Sequence, residues 1–378
     1  MKAKYEHMKS RKTTCRKSIS KRICEKGDAS LRARSVFIWC GHAVKRLKRG
    51  TSSLMKIHRI GFVVITGSLL AVAAFSQTEK SATNPSADSA KPFLGRWDLT
   101  LKAPDREYPS WLELREENGQ LKAQMVGRWG NARSLPSAEV SGGHLKFVSP
   151  KEEEASKTDL VFEGALNGKS LSGSLNGPDG KTWQWTGRRA PALKRTSQPN
   201  WASPIPLFNG KDLTGWHEDK PGASPVWKVE NGILVRPDRG PELINTSKFE
   251  NFKLHVEFNC SPQSNSGVYL RGRYEVQIET DSASDPPSQR MGGVYGFLAP
   301  SPEPARTPDK WQTYDITLVG RIVTVVLNGT TIIDNKEIPG ITGGALDSHE
   351  ELPGPIYLQG SEKGRVMFRN IVITPARK

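Results

Sequence analysis

Three polar side chains, Glu275, Gln277 and Glu279, alternate with Tyr274, Val276 and Ile278 in the run 274–280. In extended chain the two sets face opposite ways, which puts two carboxylates and an amide on one face. Such a set suits acid–base work on a sugar, with the amide holding a hydroxyl; the plainer alternative is the solvated face of an antiparallel strand. Residues 252–260 repeat the pattern. Phe252, Leu254, Val256 and Phe258 form an apolar stripe, and His255 and Glu257 share the other face with Lys253 and Asn259. A histidine and a carboxylate two apart offer an acid–base pair or part of a metal site, against the reading of an exposed polar row. Arg271 follows Asn265-Ser266-Gly267 and is expected on the face of Gly267 and Tyr269. Its fork of donors fits hydroxyl groups or an oxyanion, or else a salt bridge. Tyr295, in the glycine-rich stretch 292–296, could stack on a sugar ring, and Gln359 closes the short apolar run 356–358. Asn209, Asp212, Trp216, Trp311 and Asp315 read as structural. After residue 76 there is no zinc motif, phosphate loop or Gly-x-Ser-x-Gly elbow.

The elements that must carry these residues are strands. Between residues 91 and 190, short alternating runs such as 96–101, 111–114, 121–126 and 144–148 are separated by Asn118-Gly119, Gly142-Gly143, Asn167-Gly168 and Asp179-Gly180. Period-two runs with such turns predict antiparallel hairpins, and about eight of them suggest a small antiparallel β-barrel or sandwich. Gly95-x-Trp97 resembles the opening of a lipocalin-type barrel; a plain antiparallel β accessory domain is the simpler expectation. Residues 191–205, rich in Pro, Ser and basic residues, read as a linker. From 206 to 376 no helical period appears. Asn328-Gly329 lies between two β-rich runs, a strong hairpin signal. The whole chain is expected to be all-β, with a two-sheet jelly-roll sandwich at the C-terminal end.

Charge and cysteines concern mainly the N-terminal stretch. The chain of 378 residues has a net charge of +16, of which +13 falls in residues 1–54, leaving +3 for the rest. A near-neutral body argues against nucleic acid as a partner. Residues 55–76 combine Lys56 and Arg59 with an apolar core and end on Ala74-Phe75-Ser76 before Gln77, the form of a secretory signal. Translation is therefore expected to start at Met55, with 1–54 an upstream mis-annotation; a basic tail on a signal anchor is the rival. The apolar core is short for a stable membrane span. Residues 77–90 read as a flexible linker. Export would place the mature chain in the periplasm or outside the cell, with Cys260 as its one cysteine, a buried small hydrophobe rather than a nucleophile.

Nearly all of the stretch 205–375 resembles the 3-keto-disaccharide hydrolase domain family, which has a concanavalin-like lectin/glucanase fold. The resemblance rests on Pro206-Leu207-Phe208-Asn209-Gly210-Lys211-Asp212-Leu213-Thr214-Gly215-Trp216 and on Trp227-x-Val229-Glu230-Asn231-Gly232. It continues through Asn265-Ser266-Gly267-Val268-Tyr269-Leu270-Arg271-Gly272-Arg273-Tyr274-Glu275-Val276-Gln277-Ile278, Gly293-Val294-Tyr295-Gly296 and Trp311-x-Thr313-Tyr314-Asp315. It closes on Gly354-Pro355-Ile356-x-Leu358-Gln359 and Phe368-Arg369-Asn370-Ile371. Residues 275–279 also resemble the Glu-x-Asp-x-Glu strand of laminarinase-type glucanases, with Gln277 at the central Asp, a departure from a retaining pair of carboxylates.

The resemblance implies activity on glycosides already oxidised to a ketone at C3. The ketone acidifies the C2 hydrogen, its removal expels the aglycone, and water adds to the enone. On this reading Glu275 or Glu257 takes the C2 proton. Arg271, Gln277, Tyr295, Gln359 and His255 would bind substrate, and a divalent cation could assist although spacing defines no ligands for it. Many relatives carry a histidine in the loop after the glutamine. Here the loop is Gln359-Gly360-Ser361-Glu362-Lys363-Gly364. That departure keeps a non-catalytic carbohydrate-binding protein open as an alternative, with a conventional glucan hydrolase as a weaker one.

Overall fold

Two-residue turns set the pairing of the N-terminal strands. Asn118 and Gly119 both take positive φ, 54° and 73°, the geometry that matches the twist of a tight hairpin. The turn joins β2 (Glu107–Glu117) to β3 (Gln120–Val126). In this computed structural model, which describes residues 89–193, 199–220, 222, 225–280 and 284–377, nine antiparallel strands form the first domain. The others are β1 (Gly95–Lys102), β4 (Arg133–Ser134), β5 (Ser137–Ser141), β6 (His144–Ser149), β7 (Leu160–Asn167), β8 (Ser170–Asn176) and β9 (Thr182–Arg189). They make one sheet in the order β4-β3-β2-β1-β9-β8-β7-β6-β5. Period-two alternation points Trp97, Leu99, Leu112, Met125, Phe147, Phe162, Leu171 and Trp185 to a single core drawn from strands along the whole sheet. The sheet curls around that common core as an open barrel whose edge strands β4 and β5 do not pair with each other. The signal segment and basic extension expected from the sequence lie outside the described residues.

The second domain is a sandwich of two antiparallel sheets. The larger runs β12 (Lys228–Glu230), β13 (Ile233–Arg236), β22 (Val366–Pro375), β15 (Phe252–Cys260), β18 (Gln312–Val319), β19 (Ile322–Leu327) and β20 (Thr330–Glu337), and β10 (Ile205–Pro206) also pairs with β22. The smaller runs β11 (Trp216–Glu218), β14 (Leu243–Asn245), β21 (Tyr357–Leu358), β16 (Asn265–Leu270) and β17 (Tyr274–Glu279). Phe252, Leu254, Val256 and Phe258 from β15 meet Tyr274, Val276 and Ile278 from β17 in the core between the sheets. Cys260 is buried there, and burial pushes its thiol up to about 12, so it packs as an apolar group. The all-β, jelly-roll reading of the sequence matches this architecture.

The two domains belong to one compact unit. Trp111 points away from the barrel core and joins the core of the sandwich, where its ring meets Phe297 edge-on at 5.2 Å. Arg96 pairs with Glu337 at 2.8 Å, and Arg188 makes a two-pronged contact with Glu351 at 2.9 Å. The chain leaving the barrel is held as well: Pro191 O accepts Arg321 Nη2 at 2.6 Å.

Candidate functional site

Strand β17 is buried on both faces. Glu275, Gln277 and Glu279 are only 2, 1 and 2% exposed, so the solvated-face reading does not hold. The cover comes from chain remote in sequence. Residues 292–298 run beside β17, with Gln277 N donating to Gly293 O at 2.9 Å and Tyr295 N to Glu275 O at 3.0 Å. Thr342, from a second loop, accepts the Glu275 amide at 3.0 Å.

Within this enclosure Glu275 is the centre. Its register partner on β16 is Tyr269, which in turn pairs with Tyr357 on β21. The two tyrosine rings stack at 3.9 Å between centroids. Tyr269 donates its hydroxyl to Glu275 Oε2 at 2.8 Å and lies 2.7 Å from Gly343 O. Hydrogen bonding places the Gln277 amide nitrogen 3.2 Å from Glu275 Oε1 and 3.2 Å from Ser266 O. Space for the carboxyl exists because residue 267 is glycine: a Cβ there would sit 2.2 Å from Glu275 Oε1. Burial pushes the Glu275 carboxyl well above the carboxylate range; the Tyr269 hydrogen bond opposes this, and the Glu242 and Glu362 charges add to it. Burial likewise raises Glu242, whose Oε2 accepts the Gly360 amide at 2.6 Å. Tyr295 is held above its ordinary value first by burial, then by the charges of Glu275 and Glu362.

The structure therefore brings Glu275, Gln277 and Tyr295 together at one end of the smaller sheet, with Gln359 on the neighbouring strand end. Gln359 N donates to Gly267 O at 2.9 Å, and its side-chain oxygen is buried without a hydrogen-bond partner. Three expectations are corrected. Glu257 lies on the outer face of the larger sheet, held by Arg369 at 2.7 Å and by Asn370; the thickness of the sandwich, about 10 Å between sheets, separates it from Glu275. His255 lies on that same outer face, paired with Asp315 at 2.7 Å. Arg271 does not follow the face of Gly267 and Tyr269. Its φ of 54° breaks the strand alternation, and its buried guanidinium donates to Gly320 O, Glu350 O and the Tyr274 hydroxyl. Tyr357, Glu242 and Gly343 carried no signal of their own in the sequence; Tyr269 did, through its shared face with Gly267. Among the described residues, no group of three or more His, Cys, Asp or Glu side chains is arranged to hold a metal ion, and no helix is long and apolar enough to cross a membrane.

The site is thus a buried carboxyl in a β-sandwich, enclosed by hydroxyl and amide groups. Residues 203–374 match the model of the 3-keto-alpha-glucoside-1,2-lyase-like domain family, and the C-terminal domain belongs to that family. A 3-keto-disaccharide hydrolase of Bacteroides thetaiotaomicron is 28% identical over 87 residues, which span 20% of this chain and 30% of the relative. A solved protein of Parabacteroides distasonis, provisionally named a glycosyl hydrolase, is 26% identical with a TM-score of 0.39, covering 49% of this chain and 96% of its own. A non-specific endo-beta-1,3(4)-glucanase of family GH16 is 14% identical with a TM-score of 0.31, covering 49% of this chain and 94% of its own.

Proposed function

We propose that the protein is an exported carbohydrate-active enzyme that cleaves glycosides carrying a ketone at C3. The observation that carries this reading is the buried carboxyl of Glu275 beneath the Tyr269–Tyr357 pair. A carboxylate that holds its proton this firmly is a strong base once ionised. The C2 hydrogen of a 3-keto sugar is acidic enough to need only such a base. Glu275 takes the C2 proton as the C2–H electron pair moves toward the ketone, leaving an enolate that the Gln277 amide is placed to hold. The C1–O bond then breaks, its electron pair leaves with the aglycone oxygen, and that oxygen takes a proton from water. Water adds at C1 of the resulting enone and C2 regains a proton, so the net reaction is hydrolysis.

The second reading is a carbohydrate-binding protein without turnover. The loop after Gln359 supports it, since Glu362 stands in the stretch where many relatives carry a histidine. Incubation of the protein with methyl 3-keto-glucoside, 3-keto-trehalose and their unoxidised parents separates the two. Release of the aglycone from the 3-keto forms alone supports the enzyme; calorimetric binding with no release supports the binding protein. Release from the unoxidised sugars points instead to a conventional glycosidase. For export, an intact mass matching a chain that begins at Gln77 in the secreted fraction is the expected result.

A further inference from the structure

We propose that the barrel is part of the catalytic apparatus: its 127–132 loop buttresses Gly343, and through Gly343 and Tyr269 it governs how readily Glu275 takes up and gives back a proton. The proposal deepens the reading of Glu275 as the base and rests on it. The loop is wedged between the two segments that flank Glu275. On one side, a Cβ built on Gly343 would lie 2.0 Å from Gly130 O and 2.7 Å from Gly130 N, so two backbones pack with no side chain between them. On the other, a Cβ on Gly296 would lie 2.8 Å from Ala132 N and from Asn131 Cβ. Gly296 follows Tyr295, whose amide holds Glu275 O, and Gly343 follows Thr342, which holds the Glu275 amide.

The link to the proton runs through one hydroxyl. Tyr269 has a single hydrogen and two acceptors within reach, Glu275 Oε2 at 2.8 Å and Gly343 O at 2.7 Å. With Glu275 protonated, its own O–H donates to Tyr269, and Tyr269 donates to Gly343 O. With Glu275 ionised, the tyrosine hydrogen turns to the carboxylate and the buried Gly343 carbonyl loses its donor. Holding Gly343 in place therefore favours the protonated carboxyl, and withdrawing it favours the ionised one. The other titratable groups facing Glu275 are Tyr357 on β21, Glu242 before β14, Glu362 after β21 and Tyr295 in the 292–298 segment. From the barrel, the charge of Glu153 reaches Tyr295.

The loop has its own anchor inside the barrel. Glu154 is buried and accepts from Ser149 at 2.8 Å, from Arg128 Nε at 3.3 Å and from Arg133. Gly127 lies against this cluster, and a Cβ there would sit 2.5 Å from Glu154 Oε1. Gly127→Ala thus loosens the loop from the barrel side, and Gly343→Ala forces the two backbones apart from the sandwich side.

The test follows the infrared band of protonated Glu275 with pH, identified by its loss in Glu275→Gln, together with kcat and KM on a 3-keto glucoside. Both variants should move the titration midpoint to lower pH by about one unit, a tenfold change in acid constant. Both should lower plateau kcat several-fold with KM unchanged, and thermal melts should show both folded. In a Tyr269→Phe background neither change should shift the midpoint further. A folded Gly127→Ala protein with wild-type midpoint and kcat overturns the proposal, as does a shift that persists without the Tyr269 hydroxyl. Should Gly127→Ala not fold, Gly343→Ala carries the same comparison. If the wild-type protein cleaves no 3-keto glycoside, the proposed function fails, while the infrared midpoints still decide whether the barrel acts on Glu275.

Discussion

Two glutamates with the same local sequence pattern meet different fates. Glu275 and Glu257 each alternate with core residues on a long strand. The first lies under two loops; the second lies outside the sandwich in an ion pair with Arg369. Their substitutions should therefore diverge. Glu275→Gln should lower kcat on a 3-keto glucoside by about 10²- to 10⁴-fold, the usual worth of a positioned general base. Glu257→Gln should leave turnover within a few-fold and cost at most about 1 kcal/mol, as expected for an ion pair at the surface. Steady-state kinetics on the two purified variants checks both. Gly267 provides a sharper probe, because an added methyl must displace the Glu275 carboxyl. Gly267→Ala should lose activity nearly as fully as Glu275→Gln, and overpacking should cost about 1–3 kcal/mol in a denaturant melt.

At the scale of elements, the outward face of β1 carries another buried carboxyl. Asp98 is 2% exposed, finds no donor for either oxygen, and its pKa is raised to about 9, by burial first and by Glu350 second. Glu350 belongs to the sandwich and is itself bound by the Tyr274 hydroxyl at 2.5 Å and by Arg321 at 3.2 Å. An acid raised in the folded state contributes stability that is full below its ordinary value of 3.8 and is lost as pH climbs through about 9. The contact between β1 and the sandwich is thus favoured by the protonated form of Asp98. Thermal melts between pH 5 and pH 9 should show a steady fall in Tm for the wild-type protein and a flatter profile for Asp98→Asn. Equal slopes in the two proteins would remove Asp98 as the cause.

For the molecule as a whole, Trp111 argues that the two domains melt together. The side chain belongs by sequence to the barrel and by packing to the sandwich core, beside Phe297 and against Gly340. Trp111→Ala should cost about 3–5 kcal/mol, the usual loss for a buried aromatic residue. Calorimetry should show one transition for the wild-type protein, and in the variant either a lower single transition or a split into two. Two separate transitions in the wild-type protein would instead describe independent domains and weaken the link drawn from the barrel to Glu275.

The strands and their faces were legible in the sequence because a period of two is a local property: the apolar stripes of β15 and β17 can be read from nine and six residues. The turns were legible for the same reason, since Asn118-Gly119 and Asn328-Gly329 adopt positive φ without help from the rest of the chain. Burial of the polar face of β17 was not, because its cover comes from residues 292–298 and 342–343 and, behind them, from Gly130. Nothing in the pattern around 274–280 records contacts so distant along the chain. The same limit put Glu257 and His255 in the candidate site and Arg271 on the wrong side of its turn, since alternation continues on paper through a residue whose backbone is left-handed in the fold. The family motifs marked the strand that carries Glu275. Only tertiary structure decided which carboxylate is dry, which tyrosine holds it, and that the barrel reaches its neighbours.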